Sequence, residues 1–349
     1  MTNRQDLDRY APSRRDVFAG LAATAALSAC GNQPAAPFEI IDFHAHFVPP
    51  SIELVRPRGP NVPQEILKVF DAFSDAALLN ASFQEQGVTR RIINTPLEAI
   101  MRPADEKPES RMARINEAMA ETVQRSDGRL LGLATIDAYA GDVAADELSR
   151  AVSDLGLVGA FVESASGNEI LSAPRARPAL EAAAKLNVPV FVHPVQETAQ
   201  TRQFNLKGFY QTNLGRGAMN SIALAGLLEA GVFDELPTLR TCFSSFSITA
   251  ILFGGLFNMT RPDAADLLRQ HVYVDTVGVH PTMMRAMIDV LGVDRLVVGT
   301  DWPVFRGYSV RDRLIEACYE LELSAPYRNM IASENAKRLL GMDAFAPLG

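Results

Sequence analysis

From Phe38 onward, short apolar runs rich in Val, Ile and Phe alternate with longer stretches whose apolar positions recur at helical spacing. The runs predict strands at Phe38–His44, Thr89–Asn94, Leu130–Ile136, Val158–Val162, Val188–His193, Leu239–Phe243, His271–Thr276 and Leu296–Thr300. Between them the spacing predicts helices at Arg111–Arg125, Asp142–Asp154, Arg177–Leu186, Met219–Ala230, Thr282–Leu291 and Val310–Leu323. Gly156, Gly231 and Gly292 follow helical stretches and predict left-handed caps. Strand-then-helix alternation on this scale predicts an α/β chain folded as a (β/α)8 TIM barrel of parallel strands, with its active site at the strands' C-terminal ends. The alternative is an open doubly wound sheet, but no Gly-rich dinucleotide fingerprint follows any of the strands. Val48–Asp71 and Val195–Ala218, after the first and fifth strands, are longer than simple connections and are expected over the barrel mouth.

The first strand breaks the usual alternation of apolar and solvated faces. In Ile40–Phe47, Asp42, His44 and His46 fall on one face, and Ile41, Phe43, Ala45 and Phe47 on the other. Histidines two residues apart on a strand lie about 6.5 Å apart at Cα, from which both imidazoles can reach one ion. A face with a carboxylate and two imidazoles, stopped by Pro49-Pro50, is the pattern of a metal site.

Composition narrows the partners. The chain of 349 residues is 48% hydrophobic, with 41 Asp and Glu against 33 Lys and Arg, a formal charge of -8. That balance supports one substantial core and argues against a nucleic-acid surface, so a small-molecule substrate is expected. At the N-terminus, Ser13-Arg14-Arg15-Asp16-Val17-Phe18 followed by the apolar run Ala19–Ala29 resembles a twin-arginine export signal, too short for a spanning helix. Leu27-Ser28-Ala29-Cys30-Gly31 resembles a lipobox, with Cys30 as the lipidated residue. The expected organisation is a signal segment over 1–29, a linker over 30–37 and the barrel over 38–349. The mature protein is then anchored by lipid alone at the periplasmic side of a bacterial membrane. Cys242 and Cys318 have no disulfide or zinc-knuckle spacing and are expected as buried thiols.

With only five histidines in the chain, each can be placed. His193 ends the fifth strand, at the rim where His44 and His46 lie, whereas His271 opens its strand at the opposite end and is expected to be structural or solvated. Asp301 follows the eighth strand and brings a carboxylate to the rim beside the first strand. Three imidazoles and one carboxylate are the donor set of a catalytic zinc, with Mn2+ or Fe2+ as alternatives.

The segments Asp42-Phe43-His44-Ala45-His46 with Pro49, Phe191-Val192-His193-Pro194, Phe233 to Phe243, Tyr273-Val274-Asp275-Thr276, Gly299-Thr300-Asp301-Trp302-Pro303 and Asn335 to Gly341 give the chain a family resemblance. It resembles the amidohydrolase-related metal-dependent enzymes, in the branch containing aminocarboxymuconate semialdehyde decarboxylase. The resemblance implies one divalent ion held by His44, His46, His193 and Asp301, which lowers the pKa of a bound water, with Asp301 also taking up a proton. It also implies a homodimer, as in many members.

One departure stands out: the family's strand-six histidine is replaced here by Ser245, which donates a hydrogen bond but is a poor base. His280, beyond the seventh strand, is the spare imidazole on that rim and the candidate substitute. Arg56 and Arg58 in the first long loop are candidates to clamp a substrate carboxylate, and Glu163 sits where binuclear relatives hold a bridging ligand, although a second metal is not expected. These features lead to an expectation of a metal-dependent hydrolase, attacking a C–O or C–N bond of a small carboxylate-bearing or cyclic substrate through metal-bound hydroxide. Non-oxidative decarboxylation is the second reading, and a non-catalytic metal- or ligand-binding lipoprotein, prompted by Ser245, the third.

Overall fold

The computed structural model describes residues 38–56, 62, 64–103, 105–195 and 208–342. The twin-arginine pattern at Ser13–Phe18, the lipid-acceptor Cys30, the 30–37 linker and Arg58 lie outside the described residues. From Glu39 onward the chain forms one compact unit.

Eight parallel strand positions make the barrel: β1 (Ile41–His46), β2 (Arg90–Asn94), β3 in two pieces (Leu130–Gly132 and Ala134–Thr135), β4 (Ala160–Glu163), β5 (Val190–His193), β6 (Thr241–Phe243), β7 (Val272–Asp275) and β8 (Leu296–Val297). β3 joins the two sheets at Leu133, whose N–H donates to Ile93 O on one side while Ala134 N–H donates to Gly159 O on the other. The barrel closes from β8 to β1 through Phe43 N–H to Val298 O at 2.7 Å and His46 N–H to Trp302 O at 2.6 Å. The expected (β/α)8 TIM barrel is the observed fold, with each predicted strand present and its bounds shifted by one to three residues, β1 running on to His46 and β4 to Glu163.

The main helices are α1 (Gln64–Ala72), α2 (Ala76–Gln86), α3 (Pro108–Gln124), α4 (Asp142–Ser153), α5 (Arg177–Leu186), α6 (Gly208–Glu229), α7 (Ala264–His271), α8 (Pro281–Leu291) and α9 (Val310–Glu320). α6 begins eleven residues ahead of its predicted start at Met219. Gly215 and Gly217 weaken its intrinsic helicity and interrupt the apolar spacing, so local pattern alone does not reveal the first three turns. Gly156 and Gly231 take left-handed φ as expected, but Gly292 has φ 100 and ψ 153 and ends α8 with an extended turn. His271 closes α7 instead of opening β7. Its Nδ1 lies 2.7 Å from Leu239 O, its ring stacks on Phe233 at 4.7 Å, and it has the structural role expected of it.

Inside the barrel, Phe43, Phe161, Phe191, Cys242, Tyr273 and Val297 share one buried cluster with Ala336, Leu339 and Leu340 of the C-terminal helix. Asn335 ties that helix to the start of β8 by donating to Leu296 O at 2.7 Å. Cys242 and Cys318 are buried free thiols. Among the described residues no helix is long and apolar enough to cross a membrane.

Candidate metal centre

β1 does not keep strict alternation. Its register against β2 slips between Asp42 and Ala45, and adjacent residues Phe43 and His44 both face Phe191, at 6.3 and 4.8 Å between ring centroids. A bulge of this kind re-aims side chains and is common beside active sites. The single face expected for Asp42, His44 and His46 is therefore divided: the two imidazoles turn to the rim, and Asp42 turns away. Its carboxylate pairs with Arg91 Nη1 at 3.0 Å and accepts from Thr300 N–H at 2.9 Å and Thr300 Oγ1 at 2.7 Å. Burial raises the Asp42 carboxyl above its usual range, with Arg91 and Thr300 opposing. Asp42 is thus the partner of a fully buried arginine that links β1 and β2, not a ligand.

His44, His46 and His193 each place a nitrogen within 4.8 Å of the others. His44 Nε2 and His46 Nε2 are 3.2 Å apart, and Asp301 Oδ1 lies 3.6 Å from the first and 3.1 Å from the second. The opposite nitrogens fix the tautomers. His44 Nδ1 lies 2.6 Å from Asp275 Oδ2 and His46 Nδ1 lies 2.6 Å from Asn94 Oδ1, both acceptors, so each ring donates from Nδ1 and turns its Nε2 lone pair to the rim. Two lone pairs at that separation, with a carboxylate beside them and no intervening donor among the described residues, repel unless a cation lies among them. The arrangement fits one divalent ion.

The backbone around these ligands is shaped to bring them together. Asp301 has φ 56, a left-handed conformation uncommon outside glycine, which turns its carboxylate back toward β1 while Thr300 and Asp301 N–H both donate to His44 O. Gly299 packs between two partners: a Cβ there would meet Asp275 Cβ at 2.7 Å and His44 Cβ at 3.0 Å. Only glycine lets His44 and Asp275 approach across β8.

Electrostatics follow from burial and charge. The His44 ring is pulled down by burial, but Asp275 above all, with Asp301 and Asp42, more than offsets this and holds it above the usual imidazole value. His193 is driven well below it by burial and by the neighbouring His46, Arg216 and His44. For Asp301 without metal, burial acts upward, and a second proton on His46 Nε2, with the charges of protonated His44 and His46 and of Arg216, outweighs it, keeping the group below the usual carboxylate range.

The remaining candidates are placed as follows. Ser245 is buried after β6, and its backbone N–H donates to Asp275 Oδ1 at 2.9 Å, so it is joined to His44 through Asp275. His280 is exposed at the start of α8. Arg56 is exposed and ion-paired with Asp71. Glu163 ends β4 directly across from His193, with its Oε1 enclosed and lacking a hydrogen-bond partner among the described residues. Burial, followed by the charge of Glu98, raises its carboxyl to about 8.

Among the described residues, four beyond these candidates join the rim: Asn94, Asp275, Glu98 and Arg216. Arg216 Nη2 lies 2.6 Å from Glu98 Oε1 and 3.5 Å from His193 Nε2. Asn94 and Asp275 were within reach of sequence reasoning, since each is a polar residue ending an apolar strand, the signal that identified His193. Arg216 was not, because the turns of α6 that carry it have no periodic signature.

A family model described as Amidohydrolase matches residues 41–342. The 2-amino-3-carboxymuconate-6-semialdehyde decarboxylase of Dictyostelium discoideum is 27% identical over 243 residues, 66% of this chain and 66% of that protein. The gamma-resorcylate decarboxylase of Rhizobium sp. (strain MTP-10005) is 26% identical over 289 residues, 74% of this chain and 84% of that one. The dihydroxybenzoic acid decarboxylase of Polaromonas sp. JS666, solved with manganese and the inhibitor 2-nitroresorcinol, shares the fold at a TM-score of 0.68 and 20% identity, covering 88% of this chain and 98% of that one. With the histidine–aspartate rim in place and the family model spanning the barrel, the chain belongs to the amidohydrolase family, in its aminocarboxymuconate semialdehyde decarboxylase-like branch.

Proposed function

We propose that this chain is a metal-dependent, non-oxidative decarboxylase of a small aromatic or unsaturated carboxylate. The observation that carries the reading is the convergence of His44 Nε2, His46 Nε2 and Asp301 Oδ1, beside His193, at the strand ends of a chain whose curated relatives above are decarboxylases. The hydrolytic expectation is set aside because those relatives break a C–C bond, and the non-catalytic reading because the ligand set is intact. A divalent ion held by His44, His46, His193 and Asp301 would supply Lewis acidity toward the substrate's oxygens. The donor set suits Zn2+, and the manganese in the Polaromonas structure supports Mn2+.

In the proposed reaction the bond between the ring or alkene carbon and its carboxylate breaks, CO2 leaves, and that carbon gains one proton. Asp301, against both imidazoles and ionised at rest, is the residue assigned to relay that proton, drawn from solvent, to the carbon. Asp275 and Asn94 orient the two imidazoles, and Ser245 contributes its backbone N–H to the Asp275 carboxylate. Neither His280 nor Arg56 is assigned a part.

The test is CO2 release by the purified full-length chain, loaded with Mn2+ or Zn2+ and offered 2,6-dihydroxybenzoate (gamma-resorcylate) and related hydroxybenzoates. Metal-dependent release that is abolished in Asp301→Asn supports the reading. A protein that holds stoichiometric metal yet consumes water without releasing CO2 refutes it.

We also propose twin-arginine export and a lipid anchor on Cys30, supported by the arginine pair and the Leu27–Gly31 pattern. Incorporation of labelled palmitate that is lost in Cys30→Ser supports the anchor, and equal labelling of both proteins excludes it.

A further inference from the structure

The first long loop does not bring a cation to the rim through Arg56, which pairs with Asp71 at the surface. α6 does. Arg216 lies among the metal-facing groups, with its Nη2 3.5 Å from His193 Nε2 and 2.6 Å from Glu98 Oε1, and only a small part of the residue reaches solvent. Its charge also lowers the carboxyls of Asp301 and Glu163 against their burial.

A guanidinium beside a histidine that is to bind a dication is unfavourable on its own, because two positive centres share one partly desolvated rim. One carboxylate, Glu98, holds it in place. Among the described residues its hydrogen-bond contacts run through Nη2, which leaves its Nη1 and Nε donors for an incoming anion. With Nη2 engaged, a free Nη1 donor offers an incoming carboxylate a single charge-assisted hydrogen bond beside the rim.

We infer that Arg216 is the substrate-carboxylate anchor of this site, held toward the rim by Glu98. The inference rests on the decarboxylase reading for the identity of its ligand, a small organic carboxylate, and names the residue that receives the carboxylate to be lost. Delivery from α6 separates this task from the ligand-bearing strands, so substrate affinity and metal affinity are set by different elements.

The experiment uses the full-length chain loaded with Mn2+, titrated calorimetrically with acetate, benzoate and 2,6-dihydroxybenzoate, for wild type, Arg216→Ala and Arg216→Lys. Mn2+ affinity is measured in parallel by chelator competition. In Arg216→Ala, carboxylate binding is expected to weaken by roughly 10- to 100-fold, the range for a charged hydrogen-bond partner, while Mn2+ affinity does not fall, because a positive neighbour of His193 is removed. Arg216→Lys, which keeps the charge but not the guanidinium held by Glu98, is expected to recover part of the loss. Unchanged carboxylate affinity in Arg216→Ala overturns the inference. So does loss of Mn2+ affinity together with carboxylate affinity, which marks a structural role, and so does failure of wild type to bind any of the three carboxylates. Failure of the decarboxylase reading looks different: carboxylates bind in an Arg216-dependent way, yet no CO2 is released.

Discussion

Asp275→Asn tests the geometry of the metal centre most directly, because one buried carboxylate serves three donors. Its Oδ2 lies 2.6 Å from His44 Nδ1, and its Oδ1 accepts from Ser245 N–H at 2.9 Å and Val277 N–H at 3.2 Å. An asparagine cannot satisfy all three. With its amide oxygen toward His44, its NH2 faces two backbone donors, each left unsatisfied at about 1–3 kcal/mol. With the amide reversed, the NH2 faces His44 Nδ1 and drives the ring proton to Nε2, removing a lone pair from the rim. Either way metal affinity is expected to fall by about 10- to 100-fold, roughly 1.4–2.7 kcal/mol, the usual effect of losing such a partner.

The sign with pH is also determined. Before metal binds, Asp275 holds His44 above the usual imidazole value against the pull of burial, so wild-type affinity declines as pH falls through that raised value. Without the Asp275 charge the decline moves to lower pH. Chelator competition for Zn2+ or Mn2+ between pH 5 and 8, with circular dichroism to verify folding, measures both effects. An Asp275→Asn chain that is folded and binds metal within 2-fold of wild type, with an unmoved pH profile, would refute the assignment of His44 and its tautomer.

Three further outcomes are expected. Glu163 keeps its proton to about pH 8 in the folded chain but releases it near 4.5 when unfolded, so its contribution to stability is lost as pH rises across that window, by at most about 1.4 kcal/mol per unit. Glu163→Gln should flatten the wild-type decline in urea unfolding free energy between pH 5 and 8, and parallel curves would contradict this. Arg91→Met leaves Asp42 fully buried without its counter-charge and should destabilise by about 3–5 kcal/mol in the same assay, whereas a loss below 1 kcal/mol would show that Thr300 suffices. Ser245→Ala should retain metal within about 3-fold in chelator competition, because the bond to Asp275 comes from the backbone N–H, and loss of metal would assign that task to the hydroxyl instead.

The barrel was legible in the chain because each strand is an apolar run bounded by turn residues and several helices show regular apolar spacing. α6 escaped this logic over its first turns, where Gly215 and Gly217 interrupt the pattern. The site divided in the same manner. His44, His46, His193 and Asp301 were identifiable because polar residues ending apolar strands of a barrel converge at one rim. By itself, then, the sequence determined the fold class and the four candidate ligands, since both follow from periodicity and position along a strand. Only the tertiary structure decided that a bulge in β1 sends Asp42 to Arg91 and away from the imidazoles, that Gly299 lets Asp275 reach His44, and that α6 delivers Arg216 to the rim. Those outcomes depend on register shifts and on contacts between residues far apart in the chain, which no local pattern encodes.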